Sequence, residues 1–146
     1  MRYLILIFTL ITSISAQAIS NLPPMLTAEL ENGKIVFPLH PLLTETYDPH
    51  INHVQLCVWG TGGKCEETLW NVSFDGQGWI GEKLVIFGTY PNAKIDINLP
   101  EKIKLNTYYS LFIRVEYGEG FWRKKRSQII IAGFCLKGGG IVKACP

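Results

Sequence analysis

The chain has 146 residues, with 14 lysines and arginines against 12 aspartates and glutamates, a formal charge of +2. One of those cations, Arg2, falls in an apolar leader, so the remainder is nearly neutral; this excludes a global electrostatic attraction to nucleic acid or anionic membrane. A hydrophobic content of 47% at this length suits one domain with one core.

The leader, MRYLILIFTLITSISAQA, sets Arg2 before an apolar run from Tyr3 to Ile11 and ends on Ala16-Gln17-Ala18. That is the three-part pattern of a secretory signal peptide, and its apolar run is shorter than the roughly 20 residues that cross a bilayer. The expected organisation is a signal peptide over 1–18 and a single β-sandwich domain over 19–146, secreted or periplasmic, with no membrane span.

Export delivers the 4 cysteines to an oxidising compartment, where two disulfides are expected. Of the possible pairings, Cys57–Cys65 with Cys135–Cys145 is favoured, because each pair is close in sequence and encloses glycines that let the chain turn back. Closing loops this short stabilises by about 2.5 to 3 kcal/mol each in the chain-entropy model.

In chain order, MLTAEL and KIVFPL flank Glu31-Asn32-Gly33, and Asn-Gly is the strongest short hairpin signal. Residues 40–52, HPLLTETYDPHIN, carry two prolines and no clean period, and read as a loop. HVQLCVW and CEETLWNVSF form a second hairpin about Gly60–Lys64, with Cys57 opposite Cys65. After the glycine-rich DGQGWIGE, KLVIFG and AKIDINL give two short strands. Thr107 to Phe134, broken at Gly118-Glu119-Gly120, gives the longest hairpin. Alternation there is clean: Tyr109, Leu111, Ile113 and Val115 share one face, and Ser110, Arg114 and Glu116 the other. The whole reads as all-β, an antiparallel sandwich or barrel of about seven or eight strands.

LNTYYSLFIRVEYGEG, Leu105 to Gly120, resembles the penultimate strand of fibronectin type III and related immunoglobulin-like domains. Leu105, Thr107 and Tyr109 stand where that family places a leucine, a threonine and its corner tyrosine. The resemblance implies an immunoglobulin/fibronectin-III-like antiparallel β-sandwich, with the Tyr109 hydroxyl bonded to nearby backbone. It implies no particular activity, because such sandwiches host unrelated functions.

The stretch CVWGTGGKC does not make a phosphate loop: Val58 stands where that motif needs glycine, and Cys65 where it needs a hydroxyl. Its cysteines are too far apart for a redox Cys-x-x-Cys or a paired zinc knuckle. It reads as a stapled turn. Asp48, His50 and His53 in DPHINH could approach one ion, but no fourth ligand stands out. Ser73, Ser110 and Ser127 lie in strand patterns without a nucleophile turn. No catalytic set, metal or cofactor is therefore expected. Asn71-Val72-Ser73 is a glycosylation sequon only in a eukaryotic host.

The last hairpin, EYGEGFWRKKRSQ, joins aromatics to the run Arg123–Arg126. Aromatics with arginine suit a binding surface; basic residues on an edge strand equally suit protection against edge-to-edge aggregation. If the fold follows the resemblance, the 40–52 loop and the last turn lie at one end of the sandwich. The candidate binding residues are then His50, His53, Tyr117, Glu119, Trp122 and Arg123, with Gly60–Lys64 at the opposite end. The sequence points to an exported, non-enzymatic binding or assembly module whose partner is a protein or glycan of the envelope or extracellular space. The alternative is a periplasmic enzyme inhibitor or immunity-type protein, and a small hydrolase or metal carrier stands behind both.

Overall fold

The structure is a computed structural model and describes residues 24–119, 124–143 and Cys145. The leader assigned to 1–18 lies outside them. Among the described residues there are nine strands in two antiparallel sheets, with one short helix and one 3-10 turn.

β1 (Glu29–Glu31) and β2 (Lys34–Pro38) form the hairpin expected at Asn32-Gly33, whose φ angles are 49° and 75°. Two successive left-handed residues match the twist of the flanking strands, which is why Asn-Gly favours this turn. The third strand of this sheet is the short Lys83–Val85, which pairs with β2. The larger sheet holds β3 (Tyr47–Trp59), β4 (Cys65–Phe74), β6 (Ala93–Asn98), β7 (Thr107–Glu119), β8 (Lys124–Lys137) and β9 (Gly140–Val142), with β5 naming Lys83–Val85 between β4 and β6. The orders are β1-β2-β5 and β6-β4-β3-β7-β8-β9.

The two sheets are glued by the apolar positions of alternating strands. Ile35 and Phe37 of β2 and Leu84 of β5 join Val54, Leu56, Leu111, Ile113, Ile130 and Phe134 of the larger sheet in one buried cluster. Phe37 and Phe134 meet edge to face, with ring centroids 5.7 Å apart. Each fully buried side chain of this size contributes about 1.5 to 3 kcal/mol over its exposed state. A large aromatic of the core, Trp70, comes from β4.

Two expectations are corrected. Residues 40–52 are not a loop: they hold the helix α1 (His40–Glu45) and the start of β3. Pro41 sits in the first turn of α1, where its missing N–H costs nothing, while Leu42 is fully buried. Pro49 is tolerated in β3 because the β3–β7 register shifts between Tyr47 and His50. The nine strands agree with the expected all-β sandwich, the last being β9, which returns onto β8 after Gly138-Gly139. Cys57 and Cys65 are not opposite each other. Cys57 faces Thr68 and Trp59 faces Cys65, and register shifts after Leu56 and Val58 bring the sulfurs together.

Both expected disulfides are present, Cys57–Cys65 and Cys135–Cys145, with Cα separations of 5.4 and 5.3 Å. The first closes a turn in which Gly60 N donates to Lys64 O at 3.0 Å and Gly63 takes φ 69°.

Two tyrosines, Tyr109 buried and Tyr90 half-buried, bond back to the backbone of the residue five places upstream. The Tyr109 hydroxyl accepts from Lys104 N at 2.7 Å and donates to Lys104 O at 3.0 Å. Tyr90 does the same with Val85, at 2.6 and 2.7 Å, and burial pushes its phenol up to about 12. Tyr109→Phe keeps the ring and removes both bonds to the Lys104 backbone. The expected loss is about 1 to 3 kcal/mol, read as a lower urea midpoint at unchanged slope; an unchanged midpoint would show that these bonds contribute nothing.

Candidate functional site

At one end of the larger sheet, the start of β3, the end of β7 and the turn after β4 enclose a cleft of about 620 Å³. β3 enters it through a distorted segment: Tyr47 pairs with Gly118 and His50 with Glu116, with register shifts after Tyr47 and after Ile51. Such bulges re-aim side chains. Asp48, at φ 49°, occupies the left-handed conformation that aspartate adopts more readily than most residues. Beyond Gly118, β8 supplies Lys125.

The remaining wall is Gly76-Gln77, and it is held by β3 itself. Trp79 N donates to Ile51 O at 2.9 Å and Ile51 N donates to Trp79 O at 2.7 Å. Gly78, at φ 76°, passes so close that an added Cβ would lie 2.8 Å from Ile51 O. The Trp79 ring is stacked on Phe74 and lies edge-on to Tyr90, which carries the turn back to the core.

The cleft mixes aromatic and ionic chemistry. Tyr47 is 62% exposed and its ring lies over Gly118, where an added Cβ would come within 3.0 Å of Cδ1. Asp48 and Glu116 supply carboxylates and Lys125 an exposed cation. His50 is half-buried, with Nδ1 3.0 Å from Asp48 O. A carbonyl only accepts, so Nδ1 carries the proton, and Nε2 lies 3.9 Å from Asp48 Oδ1. Exposed aromatic surface ringed by charges of both signs is suited to contact with another macromolecule.

Of the residues singled out from sequence, His50 and Tyr117 share this cleft. His53 does not, because the shift after Ile51 sets it opposite Arg114 and Ser73 instead. Its Nε2 lies 2.6 Å from Asn71 Oδ1, engaging the asparagine of the sequon. Glu119 is placed by its backbone pairing with Lys124, and Trp122 and Arg123 lie outside the described residues. Among the described residues no group of three or more His, Cys, Asp or Glu could hold a metal ion. The turn Gly60–Lys64 lies at the far end of β3 from the cleft. Asp48 and Lys125, singled out separately in DPHINH and the basic run, also line it, while Tyr47 and Gln77 went unread; the legible signal was an aromatic before Asp-Pro, within a segment read as loop.

By fold this is an all-β sandwich stapled by two disulfides, with an open, mixed-charge cleft at one end. No protein-family model matches the chain, and no solved structure matches it. It is similar to the type VI lipase immunity protein Tli3 of Pseudomonas aeruginosa, with 33% identity over 126 residues, covering 86% of this chain and 74% of that protein. The chain belongs to the family of that immunity protein.

Gly78→Ala tests how the cleft wall is held. A left-handed backbone and a clash with Ile51 O should destabilise the fold by more than about 1 kcal/mol. The Ile51 and Trp79 amides should lose protection from hydrogen exchange. Parent-like stability would mean that the wall is not pinned at this glycine.

Proposed function

We propose that the chain is an exported immunity protein that neutralises a lipase effector by binding it, without chemistry of its own. The observation that carries this is the 33% identity to a type VI lipase immunity protein over 86% of the chain. It favours the inhibitor or immunity alternative over an envelope assembly module, and a protein partner over a glycan. The leader around Arg2 and the two disulfides support action in the periplasm, an oxidising compartment.

The contact surface in this reading is the cleft end, with Tyr47, His50, Tyr117 and Lys125 at its centre, joined by Glu119, Trp122 and Arg123, which follow Tyr117 in sequence. His53, hydrogen-bonded to Asn71, lies outside it. The Tyr109 bonds to Lys104 support kinship with fibronectin type III and immunoglobulin-like sandwiches, whose loop clusters bind in the same end-on manner.

The test is protection of a bacterium made to export a lipase effector from this chain's own organism. The full chain should restore growth, and the chain without residues 1–18 should not. Tyr47→Ala with Trp122→Ala should fold with the parent's urea midpoint yet bind at least tenfold more weakly, since aromatic truncations at an interface centre each commonly cost about 2 kcal/mol. Killing that the full chain leaves undiminished would refute the proposal.

A further inference from the structure

β8 is paired with β7 along its length, from Leu136 opposite Thr107 to Lys124 opposite Glu119. On its other side β9 covers only Cys135 to Lys137. Among the described residues no backbone hydrogen bond reaches Ser127–Phe134 from that side. This open edge is longer than an ordinary strand of about 5 or 6 residues.

Open edges are dangerous, because their unpaired N–H and C=O groups template pairing with another chain. Proteins blunt them with charge, proline or cover. Here charge guards one end only. Lys124, Lys125 and Arg126 open the strand, and from Ser127 to Phe134 there is no charged residue and no proline. Protection therefore accounts for the basic run but leaves the rest of the edge unguarded.

The side chains beside that edge are unusual for a solvent face. Ile130, Ala132 and Phe134 point into the core, while Ile129 and Ile131 stand on the opposite face at 51% and 60% exposure. Next to Ile131, a cleft of about 330 Å³ opens between the arm before β1 and the β8–β9 corner. Met25, Ile131 and Val142 give it apolar walls, and Met25 is 78% exposed.

We infer that the open edge of β8 takes up an extended segment of the partner as an added strand. Backbone pairing supplies the affinity and the flanking side chains supply the selection, as in other strand-addition complexes. The segment carries apolar side chains that meet Ile129, Ile131 and the Met25–Val142 cleft, and carboxylates at the end beside Lys125. A second copy of β8 is poorly matched to this role: between Lys124 and Lys137 it has no aspartate or glutamate to answer the cations. The inference rests on the binding role proposed above and extends the contact from the cleft, whose wall includes Lys125, along the strand.

Hydrogen-exchange mass spectrometry of the full chain, alone and bound to the purified lipase that it neutralises in the growth test, decides the matter. Amides within 127–134 should exchange at least tenfold more slowly in the complex, while central β4 is unchanged. Ile129→Lys with Ile131→Lys, both on the exposed face, should keep the parent's urea midpoint and weaken binding at least tenfold. A complex that forms without added protection at 127–134, and that the double variant forms as the parent does, overturns strand addition and leaves the immunity role standing. Absence of any complex refutes both. Protection already present in the free chain also overturns the inference. If dilution removes it, a second copy occupies the edge; if not, the chain's own residues do.

Discussion

The register of β3 between β4 and β7 sets the position of every residue in the cleft. Ile51, Val54 and Leu56 point into the core, held opposite Val115, Ile113 and Leu111 of β7. Because side chains alternate with a period of two, a slip by one residue would expose all of them. At one end of the strand, the Cys57–Cys65 bridge and the Gly60–Lys64 turn clamp β3 to β4. At the other end the ladder loosens on purpose: two shifts around Pro49 and Asn52 turn Tyr47, Asp48 and His50 outward while Ile51 stays buried and bonded to Trp79. One end is clamped by the disulfide, and the irregular end shapes the cleft.

Much of this was legible in the sequence wherever one local rule dominated. Asn32-Gly33 announced its turn, the short-range cysteine pairs their bridges, and the Tyr109–Val115 alternation its buried face. The reading failed where the structure breaks a period for a reason found elsewhere in the chain. Pro41 and Pro49 argued against regular structure, yet one sits in a helix's first turn and the other at a bulge, where neither needs an N–H. The bulge also separated His50 from His53, which their spacing had joined. How far the edge of β8 stays open was not legible, because it depends on backbone groups that the short β9 does not reach.

Under the proposed immunity role, the two readings of the basic run, shielding and binding, divide β8 between them. Lys124 and Lys125 open the strand at the cleft end, and Ser127–Phe134 carries no charge. In that role charge steers the encounter and disfavours self-pairing, while backbone and apolar contacts hold the captured partner. The disulfide-clamped turn at Gly60–Lys64 lies at the far end of β3 from the cleft.

The central claim is that neutralisation is stoichiometric binding. Purified lipase hydrolysing dispersed phospholipid should be titrated with the intact, disulfide-bonded chain, and both proteins weighed afterwards by mass spectrometry. Inhibition should rise linearly to completion near one molar equivalent, with neither mass changed. Loss of activity at a small fraction of an equivalent, accompanied by a new mass on the lipase, would show turnover and contradict a purely binding role.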